Sequence, residues 1–277
     1  MEPLPIRSAD APQSGGAQAV QRALALLSNV GRGGSAGLGL GDLAEAVGLA
    51  RPTARRLLLA LCQARMVEQD PATRRYHLGP EAYLLCSFAS DRHGILIHAE
   101  DSLHRLADET GDTAFLTVRQ DDHSICLLRV EGAFPIRTHA LKTGDRKPMG
   151  VGVGALAILA ALPEPEAEAL LARIAPLLGD LKAPLEGDAA MARRQGHALN
   201  PGRIVPGSWG IGVAIRWPDG RPAGALSLAA IEDRMRPERQ RELAVLLHRE
   251  ADLVAARLAG LSRRNPGRNP EGQRISP

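Results

Sequence analysis

The sequence predicts an α+β protein in two unequal parts. A helical front region closes on a short hairpin, and a longer region follows in which helices surround a mixed, largely antiparallel sheet. Three observations predict this. Apolar residues recur at helical spacing in three successive segments before residue 64. Paired runs of strand-forming residues around tight turns dominate only after residue 112. Charge is unevenly shared: residues 17–79 hold eight arginines and four acids, a net of +4, while residues 80–261 hold 21 basic and 24 acidic residues, a net of −3. A basic front part on an acidic body points to a polyanionic partner for the front.

The first helix lies in "AVQRALALLSNV", with Val20, Ala23, Leu24 and Leu27 expected on the inward face. "GRGGSAGLG" breaks it. A short helix follows in "GDLAEAV", with Leu43, Ala44 and Val47 on one side. "GLA" turns the chain into "RPTARRLLLAL", whose Ala54, Leu57, Leu58 and Leu61 keep the helical spacing and whose Pro52 suits a first turn. "MVEQ" and "RRYHL" read as strands joined by the Asp-Pro turn "DPAT".

Helix, helix, turn, helix, hairpin is the order of a winged helix-turn-helix. Such a domain places the start of its second motif helix in the major groove of DNA. Arg51, Thr53, Arg55 and Arg56 occupy that start. Arginine forks onto guanine edges or phosphates, and threonine reaches either. Arg74 and Arg75 on the wing are placed to touch phosphates. The expected partner is therefore double-stranded DNA.

Residues 80–93 read as a linker helix, with Ala82, Leu85, Cys86 and Ala89 on one face. Leu84, Leu85, Cys86 and Phe88 give it more apolar surface than one face needs, so pairing with a second copy and a pseudo-palindromic operator are expected. A further helix puts Leu96, Ala99, Leu103 and Leu106 inward and stops at Gly111. "TAFLTVRQ", "SICLLRVEG" and "IRTHAL" read as strands, "GVGVGALAILAAL" as a turn entering an apolar helix, and "PEPEAEALLARIAPLL" as an amphipathic helix. "WGIGVAIRW" and "RPAGALSLAAI" flank the turn "PDG", and a last helix runs over 237–261. The expected division is a disordered leader at 1–16, the winged domain at 17–79, the linker at 80–93, the second domain at 94–261 and a disordered tail at 262–277.

Together, "LAEAVGLARPTARRLL", "VEQDPATRRYHLG", "GDRKPMGVGVGALAILAAL", "GHALNPGRIVPGSWGIGVAI" and "DGRPAGALSLAA", in that order, resemble the isocitrate lyase regulator (IclR) family of bacterial transcription regulators across most of residues 18–261. The resemblance implies a GAF/PAS-like effector-binding domain behind the winged helix, a homodimer or dimer of dimers, no catalysis, and a small organic or aromatic acid as effector. It carries effector contacts to Val153, Gly154, Asn200, Gly210, Ser227 and Ala229. A helix start rich in small residues exposes N–H groups that hold a carboxylate. The chain departs from the family where Asn200 replaces a frequent acid and where Gly210 and Ala229 replace polar or sulfur side chains, which implies a roomier, more apolar pocket. Gly41 stands where a hydroxyl often caps the second helix, and Arg65 where glycine often ends the recognition helix.

Several classes are disfavoured. No apolar run reaches the ~18 residues of a membrane span, and the start lacks the apolar core of a signal peptide. Cys62, Cys86 and Cys126 have no metal or redox spacing. Cys62 and Cys86 read as buried, reduced thiols in apolar helices, which places the protein in the cytoplasm. His93, His98 and His104 are poorly spaced for one helix face, so no metal is expected. No nucleophile elbow surrounds Ser208 or Ser227. "GVGVGA" lacks the strand and downstream acid of a dinucleotide loop, so no cofactor is expected. The alternative is a small-molecule sensor or enzyme domain whose winged helix serves protein contacts.

Overall fold

The computed structural model describes residues 15–136 and 141–264. The chain divides into two compact units, Met1–Arg92 and His93–Pro277.

In the first unit, α1 (Gly15–Arg32), α2 (Leu40–Ala46) and α3 (Arg51–Gln63) precede the hairpin of β1 (Val67–Gln69) and β2 (Tyr76–Leu78). They close on a core of Leu26, Val30, Leu43, Ala44, Ala54, Leu58, Val67 and Tyr76. The inward face of α1 differs from expectation. Leu26 and Val30 are buried, whereas Val20 and Leu24 are 59% and 55% exposed. The helix carries two apolar stripes, and the one holding Leu26 and Val30 joins Ala54 and Leu58 of α3 in the core. The cap of α2 also moves. The N-cap is Gly39, and the Asp42 carboxylate accepts its N–H at 3.3 Å. Gly41 instead lies inside the helix beneath Arg51: a Cβ there would come 3.3 Å from Arg51 Nη2.

Arg65 ends α3 with φ +57, so a non-glycine residue does adopt the left-handed conformation. Its carbonyl accepts the N–H of Glu81, and a Cβ on Gly79 would lie 2.2 Å from that oxygen. Glycine is required there to let the hairpin exit against the end of α3. The chain continues into α4 (Pro80–His93). Tyr83 and Phe88 on α4 are 77% and 75% exposed, and Leu84, Leu85 and Cys86 are exposed as well. Cys86 is thus not the buried thiol expected: it lies on the exposed stretch Tyr83–Phe88 of its helix.

The second unit contains α5 (Ile95–Thr110), β3 (Thr113–Gln120), β4 (His123–Val130), β5 (Arg146–Pro148), α6 (Val153–Ala161), α7 (Glu164–Leu178), α8 (Lys182–Gln195), β6 (Ala198–Pro201), β7 (Ser208–Arg216), β8 (Pro222–Ile231) and α9 (Pro237–Arg264). Six strands form one sheet in the order β5-β4-β3-β8-β7-β6, antiparallel at each pairing. Strand alternation sends Leu226, Leu228 and Ala230 of β8 to the face covered by α5 and α9. Ala225, Ser227 and Ala229 point to the other face, where α6 packs. The expected strand over "IRTHAL" falls mostly on 137–140, outside the described residues, and the same holds for the leader before residue 15 and the tail after 264. Helices α1 and α9 do include Gly15 and Arg264.

Two buried acids tie the second unit together. Asp112, nearly inaccessible, receives Arg234 and Arg239, each at 2.8 Å. Glu250 on α9 is 1% exposed and receives Arg105 of α5 at 2.5 Å and its neighbour Arg249 at 3.1 Å. Burial pushes the Glu250 carboxyl up, but the bonds from Arg105, Ser102 and Arg249 outweigh it and hold it below the usual carboxylate range.

Candidate DNA interface and ligand cup

The start of α3 is an exposed cationic surface on a packed helix. Ala54 and Leu58 are buried on one side, while Arg51, Arg55 and Arg56 are exposed and Thr53 is half-exposed. Ala50 caps the helix through backbone alone: its carbonyl accepts the N–H groups of Thr53 and Ala54 at 2.9 and 3.0 Å. Pro52 fits because a first-turn N–H has no helical partner. Among the described residues, none of Arg51, Arg55, Arg56 and Arg74 forms an ion pair, so their guanidinium groups stand ready for an external anion. The turn before α3 is set by Gly48 at φ +65.

The wing arginines separate in role. Arg74 sits at φ +59 beside a tight Asp70 turn and is exposed. Asp70 Oδ1 accepts the N–H groups of Thr73 and Ala72 at 2.6 and 2.9 Å and the Thr73 hydroxyl at 3.0 Å. These bonds, Thr73 foremost, hold the Asp70 carboxyl below its ordinary range. Arg75 instead donates to the Gly37 carbonyl at 2.9 Å and lies 3.5 Å from that of Ala36. It fastens the wing to the loop before α2, a use that its place in the sequence did not reveal.

In the second unit, the expected ligand residues converge. Asn200 pairs with Gly210 and Gly210 with Ala229 in register across β6, β7 and β8. Ser227 lies one alternation away, opposite Gly212. Helix α6 sets its first residues directly on this patch. A Cβ on Gly210 would lie 2.8 Å from Val153 Cγ1, and one on Gly212 would lie 3.2 Å from the Val153 carbonyl. A Cβ on Gly154 would lie 2.6 Å from Thr117 Oγ1 and 3.4 Å from Ser227 Oγ. Glycine on both surfaces is what allows so close an approach.

The expected room is not there in this conformation. Val153 fills the space above Gly210, and Leu141 packs on Phe115, Cys126 and Ala229. What remains is a hollow of about 20 Å³ bounded by Gly150–Gly152, Leu185, Asn200 and Arg203. Asn200 Oδ1 accepts the Arg203 N–H at 3.0 Å, and Arg203 is forked onto Asp188 at 2.6 and 2.9 Å. A larger cavity, about 260 Å³, lies at the opposite end of α6. Burial pushes the neighbouring Cys126 thiol up to about 12, so it is an inert packing group.

One residue of this site escaped the sequence reading. Thr117 of β3 is 3% exposed, and its hydroxyl has no hydrogen-bond partner among the described residues. A buried hydroxyl without a partner costs about 1–3 kcal/mol. It sits against Gly154 and close to Ser227, at the N-terminus of α6, the helix end whose dipole favours an anion.

Comparison with known proteins follows the same division. Residues 19–71 match the IclR helix-turn-helix domain, and residues 87–256 match the bacterial transcriptional regulator IclR C-terminal domain. The HTH-type transcriptional regulator BhcR of Paracoccus denitrificans is 30% identical over 230 residues, covering 81% of each chain. The acetate operon repressor of Salmonella typhimurium is 25% identical over 90% of this chain and 93% of its own. The solved structure of an IclR transcriptional regulator from Alicyclobacillus acidocaldarius superposes with a TM-score of 0.71 at 25% identity, over 87% of this chain and 98% of that one.

Proposed function

From the premise that this chain belongs to the IclR family of ligand-responsive, DNA-binding transcription regulators, we propose which residues do the work. Arg51, Thr53, Arg55 and Arg56 read the major groove, and Arg74 contacts a phosphate of the same site. Arg75 acts one step back by holding the wing. The observation that carries this reading is the row of exposed, unpaired arginines opposite the buried Ala54 and Leu58. Binding of a labelled duplex from the DNA beside its own gene, compared between wild type and an Arg55→Ala, Arg56→Ala double variant, tests it. Equal affinity with an intact fold refutes it.

The effector is a small carboxylate, aliphatic or aromatic, held between the start of α6 at Val153 and Gly154 and the patch of Asn200, Gly210, Ser227 and Ala229. Thr117 joins this set, since a carboxylate oxygen would satisfy its hydroxyl. Because Val153 and Leu141 fill the cup, binding requires that they move. The ligand shifts DNA affinity only through its preference for that rearranged state. The departures at Asn200, Gly210 and Ala229 favour a bulkier acid over a two-carbon one. Ser227→Leu would occupy the same space and should abolish the response while sparing DNA binding without ligand. No helix among the described residues is long and apolar enough to cross a membrane.

Assembly rests on α4. Tyr83, Leu84, Leu85 and Phe88 leave an apolar surface that suits a second copy of the chain. A two-fold pair of DNA heads then reads a pseudo-palindromic operator. Sedimentation as a monomer at micromolar concentration refutes this assembly.

A further inference from the structure

We propose that the second unit holds a separate site for a small organic anion in the cavity at the C-terminal end of α6. The cavity has a volume of about 260 Å³ and is walled by α6, α8, β7 and α9. Its floor is made of alanines, among them Ala157, Ala160, Ala161, Ala214 and Ala255. Small side chains from four elements meet here, and none reaches across, which leaves the space open. An apolar cavity of about 150 Å³ accommodates benzene, so this one has room for a single ring with a carboxylate.

The rim supplies the polar end. Two arginines and two histidines, Arg193, Arg216, His197 and His248, face one carboxylate, Asp252. Arg193 is committed elsewhere: it donates to the Ala160 and Leu162 carbonyls at 3.2 and 3.4 Å and lies 3.6 Å from Glu164. Arg216 is not. Its Nη1 donates to the carbonyls of Gly220 at 2.8 Å and Ala161 at 3.3 Å. Its Nε and Nη2 have no partner among the described residues, and no acid pairs with it. That is the free edge of a guanidinium fork, the geometry that takes a carboxylate by two parallel bonds. His197 is half-buried, and burial first, then His248, holds its ring below the usual imidazole range against the bond to the Gln195 carbonyl. A neutral His197 can accept or donate a hydrogen bond to a ligand without adding charge.

This site shares α6 and β7 with the effector cup but none of its residues, so each can fail alone. The test uses the full chain, labelled at alanine methyls and histidine Cε1, with sodium benzoate as probe and benzyl alcohol as its neutral counterpart. Benzoate should give saturable shifts at Ala161, His197 and His248 below about 10 mM, the weak end of specific binding. Arg216→Gln should weaken this by about tenfold or more, the effect of a lost charge-assisted bond. Ala161→Leu and Ala255→Leu should each abolish it by filling the space, with either one sufficient should the other fail to fold. Ser227→Leu, in the effector cup, should leave it unchanged. The proposal is overturned if wild type gives no saturable shift, if benzyl alcohol binds as tightly as benzoate, or if binding survives in both filled variants.

Discussion

Replacing Thr117 by valine separates two quantities that ordinarily move together. The hydroxyl is buried and has no partner among the described residues, so the ligand-free protein carries a desolvation cost of about 1–3 kcal/mol. Valine keeps the branched shape and removes the polar atom. Its methyl is larger than the oxygen it replaces and sits where a Gly154 Cβ would approach to 2.6 Å, so tight packing offsets part of the gain. The expected balance is a stabilisation of about 1 kcal/mol, or a rise of about 2–4 °C in Tm for a unit of this size. The same change removes a donor to the bound carboxylate and should weaken the effector by about 10- to 150-fold, the equivalent of roughly 1.5–3 kcal/mol. Thermal denaturation reads the first effect, and effector titration of the DNA complex reads the second. Thr117→Ser keeps the hydroxyl and should keep the response. A Thr117→Val protein destabilised by more than about 1 kcal/mol would show instead that the hydroxyl is satisfied in the folded chain. A more stable variant with an unchanged response would remove Thr117 from the ligand site.

Further outcomes follow from the same structure. Arg55→Ala and Arg56→Ala should each cost about 1–3 kcal/mol if the side chain reads a base, or lower the salt slope by about one if it holds a phosphate; anisotropy titrations at several salt concentrations distinguish the two. Gly79→Ala places a Cβ 2.2 Å from the Arg65 carbonyl oxygen, so the front unit should lose about 1–3 kcal/mol, and an unchanged melting midpoint would contradict the close approach. Glu250 has a folded pKa below its ordinary 4.5, so its contribution is complete above that value and is lost as pH falls through the folded pKa. Glu250→Gln should lower stability near neutral pH by about 1–2 kcal/mol, discounted because Arg105 faces solvent, and should flatten the acid limb of the stability profile. Phe88→Asp, at an exposed position on α4, should leave the melting of the second unit unchanged while shifting sedimentation toward a smaller species.

Much of this architecture was legible because long apolar periodicities leave little choice. The spacing of Ala54, Leu57, Leu58 and Leu61 fixed which side of α3 is packed, and so placed Arg55 and Arg56 outside. Where two stripes compete, periodicity is not enough: Val20 and Leu24 satisfy a helical pattern as well as Leu26 and Val30 do, and only the meeting with α3 decides. The remaining elements carry weak or contrary signals. Strand β5 is three residues of "RKP", β6 holds Asn200 and Pro201 in a pattern that reads as a turn, and α8 contains Pro184 and Gly187, which read as breaks. These elements are held by the sheet and by burial of Leu185, Ala189 and Ala192 rather than by propensity. At the ligand cup, the run of small residues announced a close approach of helix and sheet. That Val153 and Leu141 occupy the space, that Thr117 is left unpaired among the described residues, and that Arg75 is tied to the Gly37 carbonyl are consequences of tertiary geometry with no local signature.

The most direct test is an anisotropy titration of the full chain on a labelled duplex from the DNA beside its own gene, repeated with a panel of small aliphatic and aromatic carboxylates. Binding should be at least about 10³-fold tighter than to an unrelated duplex at the same salt. At least one carboxylate should change it in wild type and not in Ser227→Leu. Equal affinity for the two duplexes, or a carboxylate response that survives intact in Ser227→Leu, would contradict the account.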